Sequence, residues 1–145
     1  MQNIQCSDVT LSRPDQTQLL TRGVIRMLID LGQSPAEFKL ANGRRADIAA
    51  LDRRGRLTIV EIKSCRTDFD ADQKWPDYLG FCDRFYFAVD LAFPANLLPP
   101  EEGVIVADAY GATIKRPASA RSLAAARRKA VTLRFARQAA RRSIV

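Results

Sequence analysis

The sequence predicts an α/β fold, a mixed β-sheet flanked by helices, and three observations carry that reading. Residues 46–51 and 57–63 are short runs rich in Ile, Val, Leu and Ala, separated by a five-residue polar loop. A stretch of helical period precedes them, and strand-length and helix-length segments alternate after them. The order is αβββαβ, then one or two further strands, and the chain closes with a long Ala/Arg helix.

Each element has its own signal. Over 16–32, Leu20, Val24, Leu28 and Leu31 recur at helical spacing, and Gly32 supplies the C-terminal stop. Residues 36–40 read as a short strand that ends in the Asn42-Gly43 turn. The strands 46–51 and 57–63 flank the hairpin loop Asp52-Arg53-Arg54-Gly55-Arg56. A second helix is expected over 70–81, with Trp75, Tyr78 and Leu79 on a partly apolar face. Strands follow at 84–89 and 103–107 across a Pro-bearing loop, with another at 112–115. The last helix is expected over 119–142, capped by Ser119 or Ser122, with Leu123, Ala126, Ala130, Leu133 and Ala140 as its packed stripe.

Composition narrows the chemistry. The 145 residues fit one domain, with its core about 16–142. Three cysteines without paired spacing predict no disulfide framework and no structural zinc. No apolar run is long enough to span a membrane, and the first residues lack the pattern of a secretory signal, so a soluble, cytoplasmic protein is expected. There is no histidine, which excludes Ser-His-Asp and Cys-His catalysis and leaves carboxylates, Lys, Tyr and water for acid–base or metal chemistry. The net charge of +7 is unevenly placed: residues 1–108 hold all 16 Asp/Glu, whereas from Ala109 onward there are 10 Lys/Arg and no acid. A one-signed basic segment suits a phosphate backbone, and equally a solvated helix face.

Hairpin register gathers the chemistry. If Leu51 and Leu57 close the loop as a pair, Asp47 stands opposite Glu61, about 5 Å away on one face. Lys63, two residues on, shares that face, and Ile48, Ala50, Val60 and Ile62 line the other. Two carboxylates so close repel each other unless a cation lies between them. Oxygen ligands of this kind suit Mg²⁺ or Mn²⁺, which can acidify water and stabilise charge on a phosphoryl group. A structural ion-pair cluster is the competing reading. Arg45 is expected on the Asp47 face, in reach of phosphate, with Arg44 beside it. In the last helix Arg134 and Arg137 are further candidates for DNA contact.

The pattern Asp47, thirteen residues, then Glu61-Ile62-Lys63 resembles the active-site motif of the PD-(D/E)xK nuclease superfamily, and the αβββαβ order is similar to its restriction-endonuclease-like core. More specifically, Ala41-Asn42-Gly43-Arg44-Arg45-Ala46-Asp47, Val60-Glu61-Ile62-Lys63-Ser64, Lys74-Trp75-Pro76-Asp77-Tyr78, Cys82-Asp83-Arg84-Phe85-Tyr86-Phe87-Ala88-Val89 and Ala107-Asp108-Ala109-Tyr110-Gly111 resemble the MmcB-like family of DNA-repair proteins. The resemblance implies a Mg²⁺- or Mn²⁺-dependent nuclease acting on DNA. Asp47 and Glu61 would bind the metal, with the Ile62 carbonyl and Glu37 as further ligands, and Lys63 would serve the attacking water. Lys74 matches a helix position that faces the site in this superfamily. Ala46 departs from the pattern, standing where the superfamily has Pro. The alternative is a non-catalytic DNA- or protein-binding module of the same fold. Other repair proteins are expected partners, and a homodimer is left open.

Overall fold

The computed structural model describes residues 12–144. Helix α1 (Arg13–Asp30) starts earlier than the apolar repeat, because Ser12 caps it by accepting the Asp15 N–H, and proline occupies its first turn. It ends in a Schellman arrangement: Gly32 sits at φ +79°, its N–H donates to the Ile29 carbonyl, and the Gln33 N–H donates to Leu28. Leu20, Val24 and Leu28 are buried as expected, whereas Leu31 is exposed, since the stop at Gly32 turns it away.

Six strands form one sheet in the order β1-β2-β3-β4-β5-β6. These are β1 (Ser34–Lys39), β2 (Arg45–Leu51), β3 (Leu57–Ile62), β4 (Arg84–Val89), β5 (Gly103–Ala107) and β6 (Ala112–Arg116). The pairs β1–β2, β2–β3 and β5–β6 are antiparallel, while β3, β4 and β5 run parallel. This is the mixed sheet with flanking helices that the sequence predicts, consistent with a restriction-endonuclease-like fold. The β2–β3 loop closes as expected, on Leu51 and Leu57. The Asp52 carboxylate accepts the Arg54 and Arg56 N–H groups at 2.8 and 2.9 Å, and Gly55 supplies a φ of +79°.

Two differences from the sequence reading lie on the faces. The helix expected over 70–81 is instead α2 (Arg66–Ala71) followed by a 3₁₀ helix (Trp75–Phe81). The chain is extended at Asp72 (φ −89°, ψ 103°), and Pro76 opens the second piece at a position where its missing N–H costs nothing. Helix α3 (Ala125–Arg142) starts later than expected and has no side-chain cap. Neither serine caps it: Ser119 Oγ donates to the Glu101 carbonyl, and the preceding segment is held extended where Arg121 donates its N–H to Asp83 and its guanidinium to both oxygens of Glu102. Its buried stripe is Val131 and Phe135, while Leu133 is 54% exposed.

The sheet separates two apolar layers. On one side α1 lays Leu20, Val24 and Leu28 on Ile48, Val60, Ile62 and Ile105. On the other, α3 and the 3₁₀ helix cover Phe38, Leu57, Ile59, Phe85 and Phe87. Trp75 belongs to this second layer, stacking on Phe85 at 5.8 Å and meeting Phe87 edge-on. Among the described cysteines, Cys82 is a buried free thiol, whereas Cys65, at the α2 N-cap, is disulfide-bonded. That corrects the expectation drawn from cysteine number and spacing, which carry no information about distance in the fold. No described helix is long and apolar enough to cross a membrane.

Candidate metal-dependent active site

The β2–β3 ladder runs from Leu51↔Leu57 to Ile48↔Val60, a register that carries Asp47 to Glu61. At that point carboxylates replace the backbone partners. Asp47 N–H donates to Glu61 Oε1 at 3.1 Å, and Ile62 N–H donates to Asp47 Oδ2 at 2.9 Å. Each acid thus binds the backbone of the opposite strand with one oxygen. Its other oxygen, Asp47 Oδ1 or Glu61 Oε2, takes no hydrogen bond from the described residues. Glu61 Oε2 is not buried without a partner, and Asp47 is an exposed residue.

A break in β2 contributes to this geometry. Its register against β1 shifts between Ala36↔Ala49 and Phe38↔Ala46, so one extra residue of β2 is accommodated beside Asp47. The bulge interrupts the alternation on which the expected position of Arg45 rested. Arg45 pairs with Lys39, on the face away from Phe38, and its guanidinium holds Glu37 at 3.2 Å. Glu37 is therefore committed to Arg45 rather than to the acids, and no group of three or more Asp, Glu or Cys side chains among the described residues is arranged to hold a metal ion. Of the expected carboxylates, Asp47 and Glu61 are brought together and Glu37 is not.

Lys63 lies beside them but does not point freely into the site. Its side chain is 7% exposed, and Nζ donates to Asp72 Oδ2 at 2.7 Å. Asp72 also accepts the Lys74 and Trp75 N–H groups through Oδ1, at 2.8 and 3.1 Å. Burial pushes the Asp72 carboxyl up, but these donors and the Lys63 charge outweigh it and hold it below the usual range. Asp72 closes α2 as its C-cap and anchors the lysine. The signal was available in principle, because a lysine ending a core strand needs an acid within reach. Asp68 does serve a helix start, accepting the Ser64 N–H and Oγ–H at 3.1 and 3.3 Å.

Electrostatics mark the acid pair. Glu61 is 6% exposed, and burial with the adjacent Asp47 charge pushes its carboxyl up to about 8, against the opposing pull of the Asp47 N–H and Lys63. Asp47 retains exposed surface, yet the protein crowding its carboxylate also raises it, partly offset by the Ile62 N–H and Lys63. Tyr78 is buried with its hydroxyl donating to the Arg45 carbonyl at 2.8 Å. Burial and the charges of Glu61, Asp47 and Asp72 raise that phenol, which keeps it a neutral donor at the rim of the acids. Spacing alone had not separated Tyr78 from an ordinary core aromatic.

The other basic candidates are dispersed. Arg44 binds Asp77 at 3.1 Å, and Lys74 is exposed beside Asp72. Arg134 donates Nε to the Lys39 carbonyl at 2.8 Å, and Arg137 lines a groove between α3 and the β1–β2 turn.

The donor set fits a hard divalent cation of the Mg²⁺ kind. Such an ion is held by one or two carboxylates and keeps several waters, and two adjacent, mutually repelling carboxylates, Glu61 buried and Asp47 partly exposed, each with an oxygen to spare, match that need. Residues 5–145 match a family described as DNA repair protein MmcB-like. The chain is also similar to a solved structure from Silicibacter pomeroyi, SPO1766, described as a protein of unknown function, with 45% identity and a TM-score of 0.83 over 92% of this chain and 90% of that one. No curated protein matches.

Proposed function

The chain belongs to the MmcB-like DNA repair protein family, and from that premise we propose that it is a metal-dependent deoxyribonuclease whose site is built on Asp47, Glu61 and Lys63. The observation that carries this reading is the crossed pair of carboxylates, each fixed by the opposite strand's backbone and each presenting a second oxygen. Asp47 and Glu61 would hold Mg²⁺ or Mn²⁺, with the Ile62 carbonyl at the same strand end as a further oxygen. When bound, the ion supplies an acidified water and charge neutralisation at the phosphoryl oxygens.

The chain's own groups do the rest. Asp72 fixes the Lys63 ammonium near both acids, so the lysine serves as a hydrogen-bond donor and a positive charge toward the attacking water or the phosphoryl oxygen. Tyr78 ties the Arg45 carbonyl and steadies the strand entering Asp47. Arg44, paired with Asp77, and the exposed Lys74 are the side chains that would meet substrate phosphates.

The test is hydrolysis of single-stranded, nicked and branched DNA in Mg²⁺ or Mn²⁺. Cleavage should require the metal and be lost in Asp47→Ala and Lys63→Ala. Equal cleavage by wild type and Lys63→Ala excludes this site as its source, and metal-dependent binding without cleavage by wild type favours the non-catalytic module.

A further inference from the structure

Helix α3 carries a row of arginines that the acid site does not use. At 3.6 residues per turn, Arg127, Arg134, Arg137 and Arg141 fall within an arc of about 80° and extend for about 21 Å along the axis. All four line a groove of about 680 Å³ between α3, the β1–β2 turn and Phe81. No aspartate or glutamate lines it. Arg127 lies over the Phe81 ring at 4.5 Å and donates Nη1 to the Gly80 carbonyl at 3.3 Å, and Arg134 spends only Nε on the Lys39 carbonyl. The Arg137 and Arg141 guanidinium groups bond to nothing among the described residues, and both side chains are exposed.

We propose that this groove is a separate binding track for the phosphodiester backbone of a nucleic-acid strand. It rests on the reading above only in taking DNA as the ligand. Charge complementarity argues for it: four guanidinium groups spread over about 21 Å of one helix face, uninterrupted by any acid, complement a polyanion that carries a charge at every nucleotide. An acidic peptide would need apolar anchors as well as charge, and among the large apolar side chains of the lining Leu133 is well exposed, at 54%, while Phe38 and Leu40 are each 1% exposed. Arginine rather than lysine at every position adds geometric fit to phosphate oxygens.

The experiment is fluorescence anisotropy of a labelled oligodeoxythymidylate, titrated with full-length protein in EDTA across a range of salt concentrations. Working without metal separates this test from the hydrolysis test. Arg137→Gln/Arg141→Gln is expected to weaken binding about tenfold and to flatten the log K against log salt slope by about 1.4, the value for two lost contacts to a single strand. Arg53→Gln/Arg54→Gln, which removes the same charge from the β2–β3 loop, should change affinity less than about twofold. Arg137→Lys/Arg141→Lys should recover most of the binding, and melting temperatures should stay at wild type, because neither side chain supports the fold. Equal losses in the two Gln pairs, no loss in the groove pair, or displacement of the oligonucleotide by polyglutamate at a lower concentration than by unlabelled oligonucleotide would overturn the proposal.

Discussion

Replacing Glu61 by glutamine isolates the energetic consequence of burying a carboxylate beside another. Between about pH 4.5 and 8 the side chain is protonated in the metal-free fold and ionised in the unfolded chain. The folded state therefore binds the extra proton, and stability falls as pH rises through that window. Each pH unit is worth about 1.4 kcal/mol, so wild type should lose on the order of 3 kcal/mol between pH 5 and 8 without metal. Asp47, also raised, pushes in the same direction. Asp72 and Asp83 are held low, so their contributions disappear only in stronger acid, below this window. Glutamine keeps a carbonyl for the Asp47 N–H but cannot ionise. Glu61→Gln should therefore match wild type near pH 5 and exceed it by roughly 3 kcal/mol at pH 8. Urea unfolding at several pH values in EDTA, with the midpoint and slope recorded, measures this directly. Adding Mn²⁺ at pH 8 should restore wild type and leave Glu61→Gln unmoved. A flat wild-type profile, or a Gln variant less stable than wild type at pH 8, refutes the reasoning.

Further outcomes follow from other contacts. Asp72→Asn should lower the cleavage rate by one to two orders of magnitude, as a positioning loss of the kind expected for catalytic groups, while leaving metal-induced stabilisation intact by thermal shift. In α1, a Cβ at Gly23 would lie 1.9 Å from the Asp108 carbonyl oxygen and 2.6 Å from that of Gly111, both backbone atoms. Gly23→Ala should thus cost about 2 kcal/mol or more, despite its better helix propensity, by urea unfolding. Asp83 accepts the Leu57 N–H at 2.8 Å and both arms of Arg128, tying α3 to the sheet. Asp83→Ala leaves these donors unpaired at a buried point and should cost roughly 3 kcal/mol in the same assay.

The sheet was legible because its signals are local. Alternation and β-rich runs located six strands, and closing the loop between Leu51 and Leu57 was enough to bring Asp47 to Glu61. Several other features were decided by tertiary contacts. The bulge in β2 answers to pairing with β1, and it moved Arg45 and Glu37 away from the acids. The delayed start of α3 answers to the buried Glu102 and Asp83, which hold the preceding segment extended. The break at Asp72 answers to Lys63, whose charge needed a partner on the next element. In each case a polar group in the core, rather than a local propensity, set the boundary.

Charge balance bears on whether the cluster serves stability or a ligand. A structural ion-pair network in a low-dielectric setting gains by pairing each charge, because an uncompensated one is costly. Here Lys63 is already paired with Asp72 at 2.7 Å, and neither Asp47 nor Glu61 has a cationic hydrogen-bond partner among the described residues. By contrast, Asp83 and Glu102 each hold an arginine, so this chain does neutralise buried acids where the fold alone is served. Across β2 and β3 it instead keeps two acids together at a cost in stability that grows toward neutral pH, and replaces ladder hydrogen bonds to orient them. That pattern supports the proposal that Asp47 and Glu61 act as ligands rather than as struts.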